Sequence, residues 1–186
     1  MEKIIIIGSA MGEKSFIAKI AEIILRFTKP KYMDSQAEIE DFLAKKSTTH
    51  NSHIKSIFKS VDFNGMQVFT YGNKENCKNI MLYVHGGAYV NEINYQHHLY
   101  CMNLSRKLES YVLAQVYGLA PNHISLEAFE AIRKLYMDIL KLDKNTILMG
   151  DSAGGGFVLS FAQYLKTIDL PPPDYIVTFS PWVDIS

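Results

Sequence analysis

Three apolar runs in this chain stop abruptly at glycine or proline, and stretches patterned for helix lie between them. The runs are NIMLYVHGG at 79–87, YVLAQVYGLAP at 111–121 and NTILMG at 145–150. An unbroken apolar run, as opposed to an alternating one, marks a strand covered on both faces. Between the first two runs, Tyr95–Ser110 places Leu104 and Leu108 four apart and ends on the basic pair Arg106–Lys107, which suits a helix C-terminus. Ser125–Leu142 carries apolar residues at 126, 129, 132, 135, 136, 139 and 140, a helical stripe. AGGGFVLSFAQYLK, at 153–166, is apolar almost all round, and DYIVTFSPW, at 174–182, reads as a last strand. Strand and helix alternate, so the fold class expected is α/β, a mostly parallel sheet with helices on both faces. At 186 residues, such a chain buries roughly 70% of the surface that it exposes unfolded, enough for one full core.

Upstream of the alternation, IFKSVDF at 57–63, Asn64–Gly65 and MQVFTYG at 66–72 spell a β-hairpin, because Asn-Gly supplies the positive φ angles of a tight turn. Residues 1–55 differ: helical and polar in character, with a Ser/Thr/His/Asn-rich loop at 47–53 and no strand alternation after Ile7. We expect an N-terminal helical accessory segment over 1–55 and a core over 56–186. Phe16, Ile17, Ile20, Ile23, Ile24 and Phe27 fall on one helical face and need an apolar partner, which docking on the rest of the protein would supply. The run Ile4–Ile7 is too short for a secretory core and carries Glu2 where basic charge belongs. Gly8–Gly12 misses the phosphate-loop spacing by one residue, with Glu13 before Lys14.

Charge and cysteine content exclude other classes. Basic and acidic residues balance at 19 each, with no long charge run, so neither nucleic acid nor an anionic surface finds a handle. No stretch approaches a membrane span. Cys77 and Cys101 are too few for a disulfide framework and lack metal-site spacing, which favours a reducing, cytoplasmic compartment. No metal or organic cofactor is implied.

Chemistry concentrates at two strand ends. Gly150-x-Ser152-x-Gly154 sits at a strand-to-helix junction, the context in which this pattern has a mechanism. Side chains at the two glycine positions would collide with backbone, while the serine is held strained with its hydroxyl over the sheet. The following helix points its N-terminal amides, Ala153 among them, at whatever Ser152 attacks. VHGGAY at 84–89 ends another strand. Gly86 and Gly87 can turn their amides toward a developing oxyanion, each such donor being worth on the order of 3 kcal/mol of barrier. His85, at the head of that run, is expected to shape the loop by hydrogen bonding and not to titrate in catalysis.

HGGA at 85–88, VYGLAP with His123 at 116–123, GDSAGG at 150–155 and SPWVD at 180–184 resemble, in order and spacing, the hormone-sensitive-lipase-like branch of the α/β-hydrolases, which are carboxylesterases and lipases. The resemblance runs from about residue 57 onward. It implies Ser152 as nucleophile, an oxyanion hole from Gly86, Gly87 and Ala153, supporting roles for His85, Asp151, Gly150 and Gly154, and a cap built from residues 1–55. The sequence departs from the family at Ala88, where many members have a third glycine, at Gly118 and Asn122, where arginine and glutamate are usual, and at Ile124 and Leu126.

In this family the triad acid and histidine follow the serine. Here all six histidines precede Ser152, and the acids after it are Asp169, Asp174 and Asp184. By resemblance the acid and base lie on strands beyond residue 186, so the chain reads as truncated and as feebly active alone. The strand YIVTFSPW is then expected to present an apolar edge open to self-association or a second chain. Three functions follow: a serine esterase acting on a small ester through an acyl-enzyme, a hydrolase-like domain that binds a small ligand without turnover, or, third and weakest, a membrane-surface role through residues 16–27.

Overall fold

The computed structural model describes residues 3–7, 35–47 and 57–184. The stripe at 16–27, the glycine run at 8–12 and residues 48–53 of the polar loop lie outside them. In chain order the elements are β1 (Lys3–Ile7), α1 (Gln36–Ser47), β2 (Ser60–Phe63), β3 (Met66–Tyr71), β4 (Asn79–Val84), α2 (Tyr95–Leu108), β5 (Ser110–Gln115), α3 (Ser125–Leu140), β6 (Asn145–Asp151), α4 (Ser152–Thr167) and β7 (Tyr175–Phe179).

One sheet runs in the order β1-β7-β6-β4-β5-β3-β2. The pairs from β1 to β5 are parallel, and the hairpin joins antiparallel through β3. The hairpin turns at Asn64 and Gly65, both at positive φ, with Asp62 Oδ1 accepting from the Gly65 N–H at 3.0 Å. The expected strands and helices from residue 60 onward are all present, with ends shifted by a few residues.

Side chains alternate across β4. Ile80, Leu82 and Val84 join a core with Ile132, Tyr136, Phe157, Phe161 and Leu165 of α3 and α4. Met81 and Tyr83 face the opposite way, into a second core with Ile93 and Cys101 beside α2. Opposite faces follow from chain direction. From β4 the chain crosses by α2 to β5 on one side, then returns by α3 to β6 on the other, and right-handed crossovers in opposite directions put their helices on opposite faces. The order of connection therefore reverses at β4. The crevice at the C-terminal ends of β4 and β6 is where parallel sheets bind ligands.

Two features differ from the sequence expectation. Residues 3–7, inside the segment expected to be a helical cap, form a strand of the core sheet, consistent with the β preference of four successive isoleucines. The expected open edge at β7 is also corrected. β1 pairs along it in parallel register from Lys3↔Tyr175 to Ile7↔Phe179, so both edges of β7 are hydrogen-bonded and it offers no template to another chain.

Candidate active site

The elbow at the end of β6 is shaped by absent side chains. A β-carbon on Gly150 would lie 2.3 Å from Gly154 O, and one on Gly154 would lie 2.1 Å from Val84 O and 2.7 Å from His85 O. All of these obstacles are backbone, so glycine at 150 lets β6 turn directly into α4, and glycine at 154 lets α4 start this close to the end of β4. Ser152 adopts φ 49, left-handed and strained for serine, and its side chain is exposed. Among the described residues none hydrogen-bonds its hydroxyl. Gly156 lies against Trp182, where a β-carbon would meet the carbonyl oxygen at 2.1 Å. The Trp182 N–H donates to Ser152 O at 2.8 Å, which ties the loop after β7 to the elbow.

Facing the elbow, residues 85–89 leave the end of β4 through three consecutive positive φ angles, at Gly87 (133), Ala88 (53) and Tyr89 (62). Tyr89 O–H donates to Ala153 O at 2.9 Å, which holds the loop against the start of α4, and its ring stacks on Trp182 at 6.2 Å. His85 is fully buried. Its Nδ1–H donates to Gly86 O at 2.8 Å, its ring stacks on Tyr117 at 4.5 Å, and Tyr117 O–H donates to His85 O at 2.9 Å. Burial pushes the imidazole pKa down to about 4, so the ring is neutral across the physiological range. His85 stands as a packed strut of the loop.

The oxyanion assignment needs one correction. The Gly86 N–H donates to Asp151 Oδ1 at 3.0 Å, and a β-carbon on Gly86 would lie 2.4 Å from Asp151 Oδ2. That amide is committed to a carboxylate and is not free for an oxyanion. Among the described residues no hydrogen bond engages the Gly87 or Ala88 N–H. Ala153, in the first turn of α4, has no i−4 carbonyl to which it can donate.

Asp151 is the junction of the two loops. Besides Gly86 it accepts from Tyr83 O–H at 2.5 Å, and His97 Nε2 lies 3.6 Å from Oδ2. His97 is oriented by the start of α2, where Asn94 Oδ1 accepts the His97 N–H and the Asn94 N–H donates to His97 Nδ1, each at 3.1 Å. With Nδ1 accepting, the neutral ring carries its hydrogen on Nε2, toward Asp151. Burial works to raise the Asp151 pKa, but His97, Tyr83 and the Gly86 N–H outweigh it and hold the carboxyl below its ordinary value. Burial and the neighbouring carboxylate push the Tyr83 phenol up, so it stays protonated and donates.

The sequence reading assigns no site role to Tyr83, His97, Asn94, Tyr89 or Trp182, and marks Ala88 only as a departure from the family pattern. Asn94-x-x-His97 ahead of a helical pattern is the one signal that capping rules offered. Asp174, one of the acids downstream of Ser152, accepts from the Thr146 N–H at 2.7 Å, at the start of β6 and so at the opposite end of the strand from the elbow. Gly118 lies under His123, where a β-carbon would meet Cγ at 2.4 Å, so the ring fills the space that a larger residue at 118 would need.

Comparison with known proteins agrees with this fold. A family model described as alpha/beta hydrolase fold matches residues 81–186. The chain is 28% identical over 110 residues to an esterase of Acinetobacter venetianus, covering 58% of this chain and 36% of that protein. It is 26% identical over 141 residues to a triacylglycerol lipase of Mycobacterium tuberculosis, covering 73% of this chain and 32% of that one. A solved esterase of the bacterial hormone-sensitive lipase family superposes with a TM-score of 0.66 at 26% identity, over 94% of this chain and 60% of that chain. The chain spans about a third of the length of the curated relatives it matches.

Proposed function

Since the chain belongs to the α/β-hydrolase fold family and resembles its hormone-sensitive-lipase-like branch, we propose that its site is built for carboxylic ester hydrolysis with Ser152 as nucleophile. Ser152 Oγ attacks the acyl carbon, and the carbonyl π electrons move onto the carbonyl oxygen. The N–H groups of Gly87, Ala88 and Ala153 hold that oxyanion. Collapse restores the carbonyl, expels the alcohol oxygen, which takes up the serine proton, and leaves an ester on Ser152 that water then cleaves. The observation that carries this reading is an exposed serine at positive φ, at the C-terminal end of β6, facing a loop with uncommitted amides.

Among the described residues no histidine is placed to take that proton. His85 is buried and neutral, His97 serves a helix cap, His98 is a buried residue of α2, and His123 faces Glu127 at 2.9 Å. We therefore propose that residues 1–186 alone turn over esters feebly or not at all, since loss of a triad base costs on the order of a million-fold. The same observation favours, as a second reading, a site that binds a small ligand without turnover. Cap formation by residues 1–55 outside β1, and a cytoplasmic location supported by two free cysteines, belong to the same proposal. No helix among the described residues is long and apolar enough to cross a membrane. Nitrophenyl acetate hydrolysis by the purified chain, with Ser152→Ala as background, is the test. A serine-dependent trace is expected, sustained turnover would refute the feeble-activity reading, and no serine dependence would favour ligand binding.

A further inference from the structure

An aspartate directly before a helix is ordinarily its cap, its carboxylate accepting from the second or third N–H of the first turn. Asp151 occupies that position on α4, with extended φ −120 and ψ 148, yet makes no such bond. Its carboxylate is turned the other way, toward Gly86 N–H at 3.0 Å, Tyr83 O–H at 2.5 Å and His97 Nε2 at 3.6 Å. These groups come from three places: the 85–89 loop, β4 and the capped start of α2.

We propose that Asp151 is a positioning residue whose carboxylate, drawn off the start of α4 by Tyr83 and His97, fixes the 85–89 loop through Gly86 and leaves the Ala153 N–H free for the oxyanion. The inference deepens the ester-hydrolysis reading and rests on it. Ala153 is the second residue of α4 and so one of the two amides, with Gly154, that an ordinary aspartate cap takes. Were Asp151 to cap the helix through Ala153, one oxyanion donor would be occupied, and through either amide a full negative charge would stand where negative charge must develop. Diverted, the same carboxylate is shared among an amide, a phenol and an imidazole, and orders the loop from which the other two donors come. His97 cannot reverse its ring to escape this role, because its Nδ1 is already the acceptor for the Asn94 N–H.

Amide NMR of the full chain tests this without requiring turnover. An N–H bonded to a carboxylate is displaced downfield, so in the native chain the Gly86 amide should be strongly displaced and the Ala153 amide should not. In Asp151→Asn the Gly86 displacement should shrink while α4 keeps its amide pattern. In the Tyr83→Phe/His97→Gln double variant, which keeps Asp151 but removes what diverts it, the displacement should leave Gly86 and appear on Ala153. A merely structural role for these residues would perturb both loops diffusely, without that exchange. The proposal is overturned if Gly86 is undisplaced in the native chain, or if the double variant leaves both amides where they were. A failed esterase assay with the amide exchange intact would instead strike at the functional reading alone.

Discussion

The elbow and the 85–89 loop face each other and do equally demanding jobs, but different forces shape them. The elbow is fixed by exclusion: Gly150 and Gly154 have backbone atoms of other segments 2.3 and 2.1 Å from where a β-carbon would sit. The loop is fixed by attachment, with Gly86 held by Asp151, His85 O by Tyr117 and Tyr89 by Ala153. Exclusion is met by the lack of a side chain at one residue, and any side chain there violates it. Attachment depends on partners 32 to 65 residues away in the chain, and losing one bond leaves the others in place.

The largest effect should therefore come from the elbow. Gly154→Ala drives a β-carbon into two carbonyl oxygens of β4 and the loop after it, and we expect a loss of about 4 kcal/mol, or failure to fold, by urea denaturation. Gly65→Ala is the control, because that position has positive φ but nothing within 4 Å. Backbone strain without collision should cost only about 1 kcal/mol there. Equal losses at the two sites would show that the elbow glycines serve φ and not proximity.

Acid should attack the loop next. Burial lowers the His85 pKa from 6.5 to about 4, and that of His98 likewise. The unfolded chain then binds these protons more readily than the folded one, so stability is complete above about pH 6.5 and falls as the pH drops toward 4. For His85 the loss amounts to roughly 3 kcal/mol by the lower end of that window. Asp151, held low, adds its own loss only below its ordinary value of 3.8. Urea midpoints measured from pH 7.5 to 4 should show this slope, and His85→Asn should reduce it to the part that His98 contributes; an unchanged slope would place the acid sensitivity elsewhere. Tyr117→Phe, which strands the buried His85 carbonyl oxygen, should cost about 1–2 kcal/mol at neutral pH.

The same contrast explains what the sequence disclosed. Exclusion leaves a spelling: glycines at fixed offsets around Ser152, at the end of an apolar run, announce a turn that admits nothing else. The parallel sheet was legible for a similar reason, since burial on both faces demands unbroken apolar runs. Attachment leaves no spelling. Nothing in Tyr83 or His97 by itself says that they meet Asp151, and the commitment of the Gly86 amide to that carboxylate depends on which loop crosses which, a tertiary fact. β1 was hidden likewise. Its four isoleucines are ambiguous alone, and their place beside β7 is a matter of pairing between residues more than 170 positions apart.

The smallest change is the most discriminating. Ala88 stands at φ 53 in a loop where glycine would carry no such strain. If attachment through Asp151, Tyr117 and Ala153 already determines the loop, Ala88→Gly should leave its path unchanged and recover the left-handed penalty, about 1 kcal/mol, less the extra freedom gained by the unfolded chain. The net should be a stabilisation of roughly 0.5 kcal/mol, read as a small rise in urea midpoint with an unaltered slope. If the methyl group itself braces the loop, the same substitution should destabilise and speed amide exchange at 87–89, and the loop would then be shaped by exclusion after all.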